Sequence, residues 1–139
     1  MSNRILIVDD ESANVLLLEA ILAEIADETL GVTDSKQVEQ AFMDFMPDLV
    51  LLDLWMPEPD GFEIMRRLQR SRDSQDFVPV IVITADDSEE SRRNALAIGA
   101  DDLLTKPLDR HQVLSRVRSL LHTRHLYLGT HSIDRQTGN

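Results

Sequence analysis

Asp9, Asp10, Asp53, Thr84 and Lys106 are the residues of this 139-residue chain whose types and places suggest chemistry. Each follows a short apolar run. Ile5-Leu6-Ile7-Val8 leads into Asp9-Asp10-Glu11, Leu49-Val50-Leu51-Leu52 into Asp53, Val80-Ile81-Val82-Ile83 into Thr84, and Leu103-Leu104-Thr105 into Lys106-Pro107. Taken singly, each has an ordinary explanation: a strand-end Asp is usually a turn or cap residue, a Thr a β-branched filler, a Lys-Pro a turn. If the runs are parallel strands of one sheet, all five polar groups fall on the same edge, and their joint occurrence reads as a site. Two carboxylates about 5 Å apart repel by roughly 3 kcal/mol at an effective dielectric of about 20, and a third adds to this, so such a pocket needs a cation. Oxygen-only ligands favour Mg²⁺ or Mn²⁺.

The elements that would position these groups alternate in type five times along the chain. Leu49 to Leu52 and Val80 to Ile83 have the length and β-branched or Leu content of strands buried on both faces. Thr29-Leu30-Gly31-Val32 is short and contains Gly, which suits an edge or near-edge strand. Between the runs lie helical patterns. Ser12 is a candidate cap for a helix with Val15, Leu18, Leu22 and Ile25 on one face, widened by Leu17 and Ile21. Asp34 or Ser35 can cap a second, carrying Val38, Ala41, Phe42 and Phe45. Pro57 and Pro59 stop the Leu49 strand, and Asp60 with Glu63 has capping-box spacing for a third helix with Ile64, Met65 and Leu68 inward. Ser88 caps a fourth, sparsely apolar helix with Ala95, Leu96 and Ile98 inward, closed by Gly99. Asp109 with Gln112 opens a fifth, carrying Val113, Val117, Leu120 and Leu121. Arg66, Arg67, Arg70 and Arg72 read as a solvated face. Five βα units give a doubly wound α/β domain, although periodicity does not fix its strand order.

Composition narrows the function. A formal net charge of −11 would repel a polyphosphate backbone, so direct nucleic-acid binding is not expected. The absence of cysteine excludes disulfides and thiol catalysis. Residues 1–4 show no signal-peptide pattern and no apolar run is long enough for a membrane helix, so the expected location is cytoplasmic.

The ordered set of motifs resembles the receiver domain of bacterial two-component response regulators. The resemblance rests on Asp9-Asp10, on Asp53-Leu54-Trp55-Met56-Pro57 with Asp60-Gly61, on Thr84-Ala85, and on Gly99-Ala100-Asp101-Asp102 leading to Lys106-Pro107. It implies a flavodoxin-like fold with strand order 2-1-3-4-5. It also implies a phosphoryl group accepted on Asp53 from a histidine kinase or phosphotransfer protein, in a signalling domain that is not a turnover enzyme but assists its own phosphorylation and dephosphorylation. Metal contacts implied in the same way are Asp10 and Asp53 directly, the Trp55 backbone carbonyl, and Asp9 largely through water. Lys106 and Thr84 would then contact the phosphoryl oxygens, helped by the amides of Trp55 and Ala85. Charge neutralisation is the main catalytic need, because the attacking carboxylate approaches an anionic phosphorus centre. The resemblance also makes Lys106-Pro107 a candidate cis bond.

Two departures stand out. The position three before the lysine, aromatic in the family, is Leu103, and the position two after the acceptor is the bulky Trp55, which we expect to limit water attack on an aspartyl phosphate. Asp86 is a candidate for the opposite effect, orienting water. The receiver domain is expected over residues 1–121, with residues 122–139 a helical extension ended by Gly129 and a flexible tail, a candidate linker to an output domain. Candidate self-association surfaces are the final helices, where Leu114, Val117, Leu121 and Leu128 approach heptad spacing, and the face formed by the fourth helix, fifth strand and fifth helix. A phosphohydrolase would use similar metal chemistry, but Asp53-Leu54-Trp55 lacks a second acid two residues on. A pseudo-receiver would have lost an acid or the lysine. A nucleotide or flavin site would need a Gly-rich loop after the first strand, which is missing.

Overall fold

The computed structural model describes residues 3–71 and 77–137. The apolar runs form five strands, β1 (Arg4–Val8), β2 (Glu28–Val32), β3 (Leu49–Asp53), β4 (Val80–Thr84) and β5 (Asp102–Thr105). All pairings are parallel and the sheet order is β2-β1-β3-β4-β5. The helices are α1 (Ser12–Leu22), α2 (Val38–Phe45), α3 (Gly61–Ser71), α4 (Glu89–Ala97) and α5 (Arg110–Thr137).

Helices on both faces explain why the central strands are unbroken apolar runs rather than alternating ones. Ile5, Ile7, Leu49, Leu51, Ile81 and Ile83 pack into one layer with Leu18 and Leu22 of α1 and Val113 and Val117 of α5. The residues between them, Leu6, Val8, Val50, Leu52, Val80 and Val82, pack into the other with Phe42, Ile64, Leu68 and Ala95. Each fully buried Leu or Ile contributes about 1.5–3 kcal/mol, so the two layers fix both register and orientation. The chain order reverses between β1 and β3, which opens a crevice at their carboxyl ends. Asp9 and Asp53 stand there.

Several local expectations change. Glu11, in extended conformation, is the N-cap of α1, and Ser12 is already helical. The Glu11 amide is taken by Asp9, which fixes the turn one residue earlier. Leu17 and Leu96 are exposed, because the apolar stripes of α1 and α4 are narrower than their composition suggested. Asp34 caps a single 3₁₀ turn at Ser35–Gln37 that precedes α2, while the buried Ser35 hydroxyl donates to the Pro57 carbonyl. Asp60 and Ser88 cap α3 and α4 as expected, accepting from the amides of Glu63 and Ser91. Gly99 closes α4 at φ 104°, a conformation that favours glycine. Lys106-Pro107 is cis, as is Glu58-Pro59. Arg66, Arg67 and Arg70 gather around Glu63, and Arg72 lies outside the described residues.

The largest change concerns the last helix. Gly129 does not end it: α5 runs on to Thr137. A helical glycine costs only about 1 kcal/mol relative to alanine, too little to stop a helix tied down just before it. Arg124 makes a 2.9 Å ion pair with Asp48, both side chains largely buried, and Tyr127 packs edge-on against Phe77. Asp48 also accepts from the Arg4 amide at 2.7 Å, which joins the α5 extension to the starts of β1 and β3. Among the described residues no helix is long and apolar enough to cross a membrane.

Candidate functional site

β3 ends at Asp53, and the connection through Pro57 and Pro59 folds back so that Gly61, the first residue of α3, packs against Leu54. A Cβ on Gly61 would lie 2.5 Å from Leu54 Cα and 2.9 Å from the Asp53 carbonyl oxygen, so only glycine lets the start of α3 pass this close. The Gly61 amide donates to the Leu54 carbonyl at 3.2 Å and holds the contact. Asp53 itself is 2 % exposed. Its Oδ1 accepts from the Trp55 amide at 2.9 Å and its Oδ2 from Lys106 Nζ at 3.0 Å.

Asp9 and Asp10 arrive from the end of β1. Asp9 is buried and Asp10 exposed, and ligand oxygens of Asp9, Asp10 and Asp53 lie within 4.8 Å of one another. Asp9 Oδ1 accepts from the Glu11 amide, whereas its buried Oδ2 has no hydrogen-bond partner among the described residues and lies 3.9 Å from Lys106 Nζ. Burial pushes the Asp9 carboxyl above the ordinary range. The Glu11 amide opposes this, nearby Asp53 adds to it, and Lys106 and Asn14 oppose it. Burial would lower the Lys106 ammonium, but its hydrogen bond to Asp53 and the charges of Asp53, Asp9 and Glu11 outweigh this and raise it. The lysine therefore stays a cation wherever the carboxylates are ionised.

Three carboxylates, one of them with a buried orphan oxygen, suit a hard divalent cation. The donor set fits Mg²⁺ or Mn²⁺ and offers nothing to a soft metal.

Thr84, at the end of β4, is fully buried. Its Oγ1 accepts from the Asp86 amide at 3.1 Å and from the Trp55 indole Nε1 at 3.2 Å. Spacing gave no sign of the indole contact, which joins residues 29 apart in sequence. Trp55 is 67 % exposed, so its ring lies at the mouth of the site rather than in the core. The Asp86 carboxylate accepts from the Ser88 amide at 2.9 Å, and that bond holds its pKa below the ordinary value. It braces the loop before α4 through that bond while the side chain stays exposed. Leu103 is 3 % exposed and belongs to the apolar layer with Val82 and Ala95.

Comparisons with known proteins agree with this geometry. The family model described as the response regulator receiver domain matches residues 5–118. The response regulator PleD of Caulobacter vibrioides is 44% identical over 121 residues, covering 86% of this chain and 26% of PleD. The phosphate regulon regulator PhoB of Pseudomonas aeruginosa is 35% identical over 117 residues, covering 84% of this chain and 51% of PhoB. The chain thus spans between a quarter and a half of these relatives. Among solved structures, NtrX from Brucella abortus superposes with a TM-score of 0.86 at 27% identity, covering 100% of this chain and 30% of NtrX. The flavodoxin-like sheet, the acidic crevice and the matched family model lead to one assignment: the chain belongs to the response regulator receiver domains, signalling domains of two-component phosphorelays.

Proposed function

We propose that Asp53 is the phosphoacceptor, receiving a phosphoryl group from a histidine kinase or a histidine phosphotransfer protein, with Mg²⁺ (or Mn²⁺) held by Asp9, Asp10, Asp53 and the Trp55 carbonyl. The observation that carries this reading is the position of Asp53. It is buried at the crevice, bonded to Lys106, and grouped with two further carboxylates. An Asp53 oxygen attacks phosphorus, the bond from phosphorus to the donor nitrogen breaks, and the departing imidazole keeps that electron pair and takes up a proton. The bound cation supplies charge neutralisation for the incoming phosphoryl oxygens. Lys106 then turns from the Asp53 carboxylate to a phosphoryl oxygen, Thr84 donates to another, and the Trp55 and Ala85 amides add donors.

The domain acts by shifting a population between two conformations, acting in the cytoplasm on a partner or on an output domain of a longer protein. Moving that equilibrium from 1:99 to 99:1 takes about 5.5 kcal/mol of differential interaction, and the Thr84 and Lys106 contacts are the source of it. The face formed by α4, β5 and α5, or the final helices, is the surface on which copies or partners meet. Incubation with acetyl phosphate and Mg²⁺ tests the reading: the intact mass should rise by a single phosphoryl group and not rise in EDTA. Repeated release of phosphate would indicate a hydrolase instead, and no mass gain a pseudo-receiver.

A further inference from the structure

Thr84 Oγ1 has two lone pairs, and two N–H groups occupy them. One belongs to the Asp86 backbone and the other to the Trp55 indole. The first donor is fixed by the main chain. The second is on a side chain that is two-thirds exposed, and its own backbone amide binds Asp53 Oδ1. Residue 55 therefore contacts the acceptor carboxylate through its main chain and the Thr84 hydroxyl through its side chain. Leu103, at the position that is aromatic in the family, is an aliphatic group packed in the core, with no polar atom to sense a hydroxyl.

We propose that Trp55 is the residue that senses Thr84 in this protein: its indole is held over the hydroxyl in the resting state and released when Thr84 turns toward a phosphoryl group on Asp53. The inference rests on Asp53 being the acceptor. The indole bond belongs to the resting state alone and so opposes switching by its own strength. Release moves a large, exposed aromatic ring at the β3–α3 connection beside the β4–α4 loop. Phosphorylation thereby changes the apolar surface that a partner meets there.

The chain contains one tryptophan, so its fluorescence reports this ring alone. Beryllofluoride with Mg²⁺, a phosphoryl mimic, should shift the emission of the wild type beyond any change made by Mg²⁺ alone. Thr84→Val should show the shifted emission before any addition, whereas Thr84→Ser, which keeps the hydroxyl, should retain the resting spectrum. Trp55→Phe keeps the ring and loses the N–H, and should bind beryllofluoride about two- to tenfold more tightly, the range set by one net hydrogen bond. In the Thr84→Val background the same substitution should change nothing. Identical resting spectra for wild type and Thr84→Val, or unchanged affinity in Trp55→Phe, would overturn the proposal. Intact mass after acetyl phosphate treatment of wild type and Asp53→Asn reports the acceptor separately: a phosphoryl gain in wild type alone, alongside those negative results, rejects the sensing role and leaves Asp53 as the acceptor.

Discussion

The Lys106 ammonium donates to Asp53 Oδ2 at 3.0 Å across 53 residues of sequence. It also lies 3.9 Å from Asp9 Oδ2, so one cation serves two buried carboxylates from different strands. Raised above the ordinary lysine value, it keeps its charge through neutral pH. The sign follows from the shift: the stabilisation by this pair is complete below the unfolded lysine pKa and is lost only as pH rises through the higher folded one.

Replacement of Lys106 should therefore affect the chemistry at neutral pH without a titration in that range. In Lys106→Gln the rate of phosphorylation by acetyl phosphate should fall about ten- to hundredfold, below the roughly hundred- to thousandfold that one preorganised donor supplies, because the metal still neutralises charge. Time courses of intact mass between pH 6 and 8 measure this; a variant as fast as wild type would remove Lys106 from the mechanism.

Asp9 is shifted in the same direction, but there the shift favours the neutral form and its window lies on the acid side. Its carboxyl is raised chiefly by burial, so the folded state holds that proton more tightly than the unfolded chain. Stability is consequently lost as pH rises from the unfolded toward the folded pKa, and the loss persists at neutral pH unless a cation offsets it. Asp9→Asn should melt at higher temperature than wild type in EDTA. Mg²⁺ should raise the wild-type Tm, by an amount corresponding to about 2.7 kcal/mol at a hundred times Kd, and raise that of the variant much less. Thermal melts in EDTA and in Mg²⁺ check both signs.

The doubly buried runs β3 and β4 were legible because both faces of a central strand demand apolar residues, and the acid, hydroxyl and lysine at the strand ends were legible because each directly follows such a run. Strand order came only from the family resemblance, since parallel pairing leaves no mark on spacing. What escaped sequence reading is tertiary. The α1 and α4 stripes proved narrower at Leu17 and Leu96, Gly129 was carried within a helix anchored by Arg124, and the Trp55 indole found Thr84 across the crevice.

The α5 extension supplies a prediction independent of the site. Arg124→Ala would leave Asp48 buried with its amide bond to Arg4 but without its cation, and should cost about 3 kcal/mol. A chain ending at Leu121 should lose a comparable amount. Urea unfolding would report this, with an unchanged m-value for Arg124→Ala and a lower one for the shortened chain, and a loss under about 0.5 kcal/mol, the usual range for surface changes, would mean that the extension is not docked in solution.

Asp53 as the acceptor is tested by treating wild type and Asp53→Asn with acetyl phosphate and Mg²⁺, measuring intact mass and locating the modified residue in peptides. Wild type should carry one phosphoryl group, located at Asp53, and the variant none. Phosphorylation of Asp53→Asn to the wild-type extent, or a modified residue elsewhere in the wild type, would contradict it.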